Sequence, residues 1–179
     1  IGSMQVKGRA SIGGNLCNGS PAADSVPAII AAGAIATIIG PNGTREEPVE
    51  NIITAPGKTS LAEGEIIVSF AFPERLPHSG DCYLRLTPRT EMDIAVVGVG
   101  VNLTLDDSGQ CTAARVGLGA VAPTPLLVAD AAAALIGTPV DDAALENMVA
   151  AVRAACNPIS DKRGTREYRI KTAGVIARR

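Results

Sequence analysis

Aromatic residues are scarce in this sequence: tryptophan is absent, and two tyrosines and two phenylalanines stand among 179 residues. The hydrophobic core must therefore be built from Ala, Val, Ile and Leu, which supply most of the 46% of the chain that is hydrophobic. A chain of this length buries enough surface to fold without disulfides or metal ions. It can form one domain or two small ones.

Residue spacings typical of metal sites are also absent. The sequence has a single histidine, His78, and its four cysteines lie far apart with no CxxC pair: Cys17, Cys82, Cys111 and Cys156. This pattern excludes the usual cysteine-based zinc and iron–sulfur sites. We expect no metal site in this chain and reduced, mostly buried thiols in a cytoplasmic protein.

Strong charge and long apolar runs are lacking too. The formal net charge is -2, which argues against a nucleic-acid partner. The longest apolar segment, residues 28–40, is shorter than the roughly 20 residues of a membrane span, and no signal peptide is expected. The most basic stretch, residues 162–179, is interrupted by Glu167 and apolar residues, which is typical of a solvated helix or an interface.

The first half alternates apolar segments with turn signals. Residues 25–34 have a helical pattern with a proline in the first turn. Residues 34–40 and 65–73 are rich in β-branched or aromatic side chains and predict strands. The Asn-Gly pair at 42–43 predicts a hairpin turn. The proline-rich segment at 73–80 is the best candidate for a domain boundary.

The second half predicts strands followed by helices. Alternating apolar runs beginning near Cys82, Asp93 and Cys111 predict three strands, and the short turn DDSGQ favours an antiparallel meander. The glycines of VGVGVNL allow close packing on a strand. Three helical patterns follow, the second opened by acidic residues suited to a helix N-terminus. We therefore predict an α+β fold, with a three-stranded antiparallel sheet and helices packed on one face.

A cluster of small and polar residues, SIGGNLCNGSPAAD, precedes the first predicted helix. Gly13 and Gly14 predict a turn that a ligand can approach closely, because glycine lacks a Cβ and successive backbone N–H groups can converge on a phosphate. Ser11 and Asn15 add polar groups, and Asp24 could cap the helix or accept from a sugar hydroxyl. A tight turn and an ordinary N-cap explain the same residues. The pattern is neither a dinucleotide GxGxxG nor a P-loop.

The longer run IGSMQVKGRASIGGNLCNGSPAADSVP resembles the FAD-binding subunit of the xanthine dehydrogenase/carbon monoxide dehydrogenase family of molybdenum hydroxylases. The family motifs S/T-I-G-G-N and S-P-x-x-D stand here at residues 11–15 and 20–24. CYLRLTPRTEMDIAVVGVGVNL and DKRGTREYRIKTAGVIARR resemble the entry and the terminal helix of its C-terminal domain. The resemblance implies the second lobe of an FAD-binding domain at residues 1–76, followed by a flavoprotein C-terminal α+β domain at residues 80–179.

The resemblance also implies a set of FAD-binding residues. In the family, the S/T-x-G-G-N segment supports the diphosphate through its backbone N–H groups and hydroxyl, and the aspartate of the second motif binds the cofactor. Apolar residues on a later strand and ten positions before the motif pack near the cofactor, and a basic residue on the next strand reaches it. These positions correspond to Ser11, Ile12, Gly13, Gly14, Asn15, Asp24, Ile67, Ile1 and Arg85. Without the resemblance, Ile67 is an ordinary core residue and Arg85 a surface cation.

The function implied by the resemblance is electron transfer. In the family, a large subunit with the molybdenum cofactor oxidises the substrate, iron–sulfur clusters on a small subunit pass the electrons to FAD, and FAD reduces NAD, a quinone or oxygen. No catalytic acid, base or nucleophile is expected in this chain. The alternative is a truncated interaction module that docks on partner subunits without holding FAD. A third possibility is an anion-binding protein unrelated to flavins.

One departure from the family pattern concerns the first lobe of the flavin domain, whose glycine-rich phosphate loop has no counterpart here. The chain also begins at Ile1 rather than at a methionine. We expect that a longer protein has been cut or lacks its first part, and that FAD affinity is reduced because binding energy is shared by both lobes. We also expect residues 73–80 to separate the halves, leaving apolar surface from residues 28–39 exposed.

Overall fold

The computed structural model describes residues 3–90 and 92–179. In the first half, strands β1, β2 and β5 form an antiparallel sheet in the order β2-β1-β5, and β3 pairs with β4. The bounds are α1 Met4–Lys7, α2 Ile12–Cys17, α3 Val26–Ala31, β1 Ile35–Gly40, β2 Gly43–Pro48, β3 Ile53–Ala55, β4 Lys58–Thr59 and β5 Ile66–Ala71. A short 3-10 turn, Val49–Asn51, lies between β2 and β3.

The predicted hairpin is confirmed, but its two-residue connection is Pro41 and Asn42 rather than Asn42 and Gly43, because Gly43 already pairs with Gly40. The first helix is shorter than the prediction of residues 25–34. Helix α3 ends at Ala31, and Gly33 follows with φ +70°, a conformation that stops a helix and that glycine adopts without strain.

The second half has an antiparallel sheet in the order β6-β7-β8-β9, with helices on one face. The predicted meander and fold class are confirmed, with a fourth strand of two residues added. The bounds are β6 Ser79–Leu86, β7 Val97–Leu105, β8 Cys111–Gly119, β9 Leu126–Leu127, α4 Ala129–Ala133, α5 Asp142–Ala155 and α6 Arg166–Arg178. Helix α5 begins as predicted, since Asp141 accepts a hydrogen bond from the Ala144 amide at 2.9 Å.

The larger hydrophobic core lies between this sheet and helices α4 to α6. It consists almost entirely of aliphatic side chains, as the shortage of aromatic residues requires, and Val97, Leu118, Leu135, Met148 and Val152 are among its fully buried members. Cys111 and Cys156 are buried, whereas Cys17 and Cys82 are exposed, and all four thiols are free. The expectation of mostly buried cysteines is therefore correct for only two of them.

Arg169 corrects the interpretation of the basic C-terminal stretch as a solvated helix. Its side chain is buried on α6, where it donates to the backbone oxygens of Val96 at 2.8 Å and Ala120 at 3.1 Å. It also forms an ion pair with Asp161 at 2.8 Å. The guanidinium satisfies two buried carbonyls beside the end of the sheet, which explains why this cation tolerates burial.

Helix α3 packs on the opposite face of the same sheet, against a seam of glycines on β7 and β8. A Cβ placed on Gly100 or on Gly117 would lie 2.5 Å from the Pro27 carbonyl oxygen. The sheet therefore approaches the helix more closely than any residue with a side chain would allow. The prediction that these glycines permit close packing is confirmed.

This seam contradicts the expectation of an exposed apolar surface for most of residues 28–39, although Ile35 and Ile39 on β1 remain 38% and 43% exposed. Ile29, Ile30 and Ile38 are buried, because α3 lies between its own small sheet and the glycine face of the larger one. Arg115 of β8 adds a polar link, donating from Nε to the Ile30 oxygen at 3.0 Å and from Nη2 to Glu50 at 2.9 Å. The two halves of the chain thus share a packed interface.

Candidate functional site

The SIGGN segment forms the first turn of helix α2 rather than the predicted free turn. Ser11 is the N-cap, and its hydroxyl accepts a hydrogen bond from the Gly14 amide at 3.0 Å. The first amides of an α-helix have no acceptor within the helix. With the Gly14 amide capped, the amides of Ile12 and Gly13 are the donors left at this end.

The two glycines of the segment differ in what their missing side chains would meet. A Cβ on Gly13 would have only an ordinary contact, 3.9 Å from Phe70, whereas a Cβ on Gly14 would lie 3.1 Å from the Ser11 hydroxyl oxygen. Neither glycine has a positive φ. Glycine costs a helix about 1 kcal/mol relative to alanine, and neither the packing nor the backbone conformation at Gly13 requires it.

Asn15 connects α2 to the start of α3. Its Oδ1 accepts hydrogen bonds from the Ser25 amide at 3.0 Å and from the Ser25 hydroxyl at 2.7 Å. The side chain therefore fixes the position of the segment that carries Asp24. In this structure Asn15 has an architectural role that its place in the sequence motif did not reveal.

Asp24 and Arg85, which lie far apart in the sequence, meet in the fold. Atom Oδ2 of Asp24 lies 2.5 Å from Nη1 of Arg85, and the side chains of Asp24 and Arg85 are 15% and 28% exposed, respectively. The hydrogen bond to Asp24 raises the pKa of Arg85. The structure thus unites two of the predicted site residues, which belong to different halves of the chain.

Tyr83 stands beside this ion pair and was missed by the sequence reasoning. Burial, followed by the negative charge of Asp24, raises the pKa of Tyr83 to about 12. Its hydroxyl oxygen is buried and has no hydrogen-bond partner among the described residues, an uncommon state for a buried polar group. The alternation of β6 places Tyr83 and Arg85 on the same face of the strand, and that signal could have identified it.

Ile67 lies on β5, half-buried against the smaller hydrophobic core, together with Phe70. Ile67 and Phe70 are three positions apart on β5, yet both side chains point inward. The pairing of β1 with β5 is irregular between Thr37 and Ile38, and a bulge of this kind changes which face the following side chains occupy. Phe70 is the side chain that faces Gly13. It links Ile67 to the start of α2, and the sequence analysis did not single it out.

The remaining predicted position, Ile1, lies outside the described residues. Among those described, the site collects the start of α2, the segment at Asp24, the inner side of β5 and one face of β6. No group of three or more His, Cys, Asp or Glu within residues 3–90 and 92–179 could hold a metal ion. No helix in that part of the chain is long and apolar enough to cross a membrane.

Comparisons with known proteins address this arrangement. Residues 83–179 match the family described as CO dehydrogenase flavoprotein C-terminal domain, and residues 1–75 match the FAD binding domain in molybdopterin dehydrogenase. The chain belongs to the CO dehydrogenase flavoprotein family. This membership confirms the resemblance on which the site was predicted, although it does not test the individual residues.

Similar flavoproteins are found in several bacteria. The chain is 35% identical over its whole length to the carbon monoxide dehydrogenase medium chain of Afipia carboxidovorans, covering 62% of that protein. It is 33% identical to the xanthine dehydrogenase FAD-binding subunit of Escherichia coli O157:H7, with 95% of this chain and 58% of the relative aligned. The chain thus spans about three fifths of the length of these relatives.

Solved structures agree with this assignment. The chain superimposes on reconstituted CO dehydrogenase from Oligotropha carboxidovorans with a TM-score of 0.94 at 34% identity, covering 99% of this chain and 62% of that one. For quinoline 2-oxidoreductase from Pseudomonas putida 86 the TM-score is 0.87 at 25% identity, with coverages of 99% and 61%. The flavoprotein fold is therefore shared over nearly all of this chain.

Proposed function

We propose that this chain holds FAD within a subunit of a molybdenum hydroxylase, and that the subunit relays electrons from a partner's iron–sulfur clusters to an acceptor. The observation that carries the proposal is the start of α2. Its amides at Ile12 and Gly13 have no acceptor within the helix, and Gly13 leaves open the space that a Cβ would fill. Family membership supplies the identity of the ligand.

The residues present fit a flavin dinucleotide. The amides of Ile12 and Gly13 would donate to the diphosphate, and the Ser11 hydroxyl, which accepts from Gly14, retains its own proton for donation. Asp24 would supply a hydrogen-bond acceptor and Arg85 a cationic donor, and the two groups lie next to each other as an ion pair. Tyr83 would add its buried hydroxyl, which has no hydrogen-bond partner among the described residues. Ile67 would add an apolar surface against the cofactor. The small residues at Gly13 and Gly14 allow close approach of the backbone.

When bound, FAD supplies the redox chemistry by accepting electrons and passing them on. The residues of this chain bind and orient the cofactor and exclude water from its apolar parts. No general acid or base is required of them. In the assembled enzyme we infer a small iron–sulfur subunit and a large molybdenum-cofactor subunit as partners, with NAD, a quinone or oxygen as acceptor. Four free cysteines are consistent with the cytoplasm.

We further infer two domains, residues 1–76 and 80–179. The separate cores of the two halves support this division, and the glycine seam joins the domains along α3. The boundary lies in the segment that connects β5 to β6, which includes Pro73 and Pro77.

Titration with FAD tests the proposal directly. Flavin fluorescence anisotropy should rise saturably when the chain is added, and FAD should be displaced by ADP, which carries the same diphosphate. Replacing Gly13 by valine should abolish the signal, because the side chain would occupy the space beside the amides. Gly80→Val, where a Cβ would have nothing within 4 Å, is the matched control. Equal binding by wild type and Gly13→Val would contradict the proposal.

A second candidate function is a docking module that does not hold FAD. The outer face of the first sheet favours it, since Ile39, Ile66 and Val68 are exposed there, and grouped exposed apolar side chains are typical of interaction surfaces. A colourless purified protein that does not bind FAD but copurifies with molybdenum and iron–sulfur subunits would support this candidate over the first.

A further inference from the structure

A group of charged side chains lies at one end of the first sheet. Arg45 on β2 donates two parallel hydrogen bonds to Glu65, from Nε to Oε1 and from Nη2 to Oε2, both at 2.9 Å. The guanidinium also donates to the Glu47 carboxylate and, at 3.2 Å, to the backbone oxygen of Ser60. A bidentate pair between arginine and a carboxylate is stronger and more directional than a single ion pair. The Arg45–Glu65 pair is therefore suited to fix the relative position of two segments that are distant in sequence.

Glu65 is held by other contacts as well. Its Oε2 accepts a hydrogen bond from the Ala62 amide at 2.8 Å. Its side chain lies over β1 at Gly40, where a Cβ would be 2.6 Å from the Glu65 Cγ, so a larger residue at position 40 would displace it. The hydrogen bonds from Arg45 and from the Ala62 amide lower the pKa of Glu65 to about 2. The carboxylate is thus charged at neutral pH, and the pair with Arg45 is present there.

Arg45 stands in the same cross-strand row as Ile67. Ile38 of β1 pairs with Arg45 on one side and with Ile67 on the other, and directly paired residues of neighbouring strands point to the same face of a sheet. Glu65 precedes Ile67 by two positions, so these two side chains share that face as well. By holding Glu65 inward, Arg45 therefore holds Ile67 inward too.

Strand β5 needs this support because its own sequence does not fix its register. Ile66, Ile67 and Val68 are consecutive apolar residues, of which Ile66 is 62% and Val68 47% exposed while Ile67 is half-buried. Val68 is also the extra residue of the bulge, since Ile38 pairs with Ile67 and its neighbour Thr37 with Ser69. A slip of one residue would turn Ile67 outward and Val68 inward, and the apolar character of the strand would oppose it little.

We propose that Arg45 is a positioning residue of the cofactor site, which binds Glu65 and thereby sets the register of β5 so that Ile67 stays turned toward FAD. This inference rests on the proposed function, because Ile67 is one of the residues that would contact the cofactor. Phe70 on the same strand faces Gly13 at the start of α2, so the strand that Arg45 positions also lies beside the amides assigned to the diphosphate. Arg45 acts through β5 and need not touch the cofactor.

FAD affinity, measured by flavin anisotropy, tests this role. Arg45→Gln and Glu65→Gln should each weaken binding about tenfold, comparable to the loss of one buried isoleucine contact. The double variant should bind no worse than either single variant, because both changes remove the same pair. Arg45→Lys should bind nearly as weakly as Arg45→Gln, since an ammonium group cannot form the two parallel bonds. Glu46→Gln, at an exposed position of the same strand, is the matched control and should bind normally.

The inference and the proposed function fail in different ways. Equal FAD affinity of the wild type and Arg45→Gln would refute the positioning role and leave the proposed function intact. Absence of FAD binding by the wild type would refute the proposed function, and the role of Arg45 in the cofactor site with it.

A double-mutant cycle separates positioning from a general loss of stability. In an Ile67→Ala background, Arg45→Gln should cause no further loss of FAD affinity, because the side chain that Arg45 positions is no longer there. A loss of the same size in both backgrounds would mean that Arg45 does not act through Ile67, and would overturn the proposal.

The register of β5 has a readout that does not involve FAD. Ile39 and Ile66 are directly paired on β1 and β5, and both are exposed. The pair Ile39→Cys, Ile66→Cys should therefore form a disulfide on mild oxidation, in a chain that also carries Cys17→Ser and Cys82→Ser. Adding Arg45→Gln should lower the cross-linked fraction, measured by mass spectrometry of the peptides, and adding Glu46→Gln should not. Equal cross-linking with and without Arg45→Gln would show that the register does not depend on the Arg45–Glu65 pair.

Discussion

The carboxylate of Asp24 and the guanidinium of Arg85 form an ion pair with 2.5 Å between Oδ2 and Nη1. Asp24 precedes helix α3 in the first half of the chain, and Arg85 lies on edge strand β6 in the second. The pair therefore ties together the two halves at the place where the candidate cofactor site lies. Each side chain holds the other in a fixed orientation. This contact could not be predicted from two residues so far apart in the sequence.

We predict that Asp24→Asn lowers the free energy of unfolding by about 1–2 kcal/mol, because a hydrogen bond between charged groups is replaced by a weaker one. It should also weaken FAD binding. Urea denaturation and flavin anisotropy measure the two effects, with the exposed change Glu63→Gln as control. An unchanged denaturation midpoint for Asp24→Asn would show that the pair contributes no stability.

Gly13→Ala should affect folding and FAD binding in opposite directions. The helix gains up to about 1 kcal/mol from alanine, and the new Cβ would have an ordinary 3.9 Å contact with Phe70. FAD affinity should fall, because the methyl group crowds the amides at the start of α2. Gly14→Ala should gain less stability, since its Cβ would crowd the capping Ser11 hydroxyl at 3.1 Å. A Gly13→Ala protein that is more stable and binds FAD normally would argue against a diphosphate at this helix end.

Tyr83→Phe should change the pH dependence of stability in alkali. The pKa of Tyr83 is about 12 in the folded protein and about 10 in an unfolded chain. Above pH 10 the unfolded state therefore loses the proton first, and stability falls as pH rises. Between pH 10 and 11 the wild type should lose about 1 kcal/mol more than Tyr83→Phe.

Chemical denaturation at a series of pH values measures this difference. Tyr168→Phe, which alters the exposed tyrosine of α6, should follow the wild type. The same alkaline loss in Tyr83→Phe as in the wild type would show that another group causes it. At neutral pH the variant should be at least as stable as the wild type, because it removes a buried hydroxyl that has no partner among the described residues.

Gly100→Ala should destabilise the protein by about 1–3 kcal/mol, the usual cost of overpacking a core. Its Cβ would lie 2.5 Å from the backbone oxygen of Pro27, so helix α3 would have to move from the sheet. Gly80→Ala, where a Cβ would contact nothing within 4 Å, is the control on the neighbouring strand. Thermal unfolding compares them, and equal melting temperatures would mean that α3 is not seated closely on the glycines.

Much of the second half could be predicted from sequence because its signals are local. The alternation of CYLRL, the turn at DDSGQ and the acidic start of α5 each act within a few residues, and each prediction is confirmed. Helix α3 ended early because of Gly33, a local signal that was available and not used. The buried role of Arg169 could not be predicted, because its acceptors on Val96 and Ala120 lie far away in the sequence.

The candidate site shows the same division. The motif at 11–15 identified a stretch at the start of α2, but not that Ser11 is occupied as a cap and that Asn15 fixes the segment before α3. Tyr83 and Phe70 were missed because their roles depend on residues from distant parts of the sequence, Asp24 and Gly13, that lie beside them in the fold. The assignments at Ser11, Ile12, Gly13, Gly14, Asn15, Asp24, Ile67 and Arg85 stay predictions until FAD binding is measured.

The sequence by itself determined the aliphatic composition of the core, the order of the long strands and helices in the second half, and the family. Each of these follows from residue type, from periodicity along the chain, or from motifs read in order. Only the tertiary structure decided that α3 lies on the glycine face of the larger sheet and that Asp24 meets Arg85. These are contacts between distant segments, and their free energy depends on shape and distance in three dimensions, which no local pattern encodes.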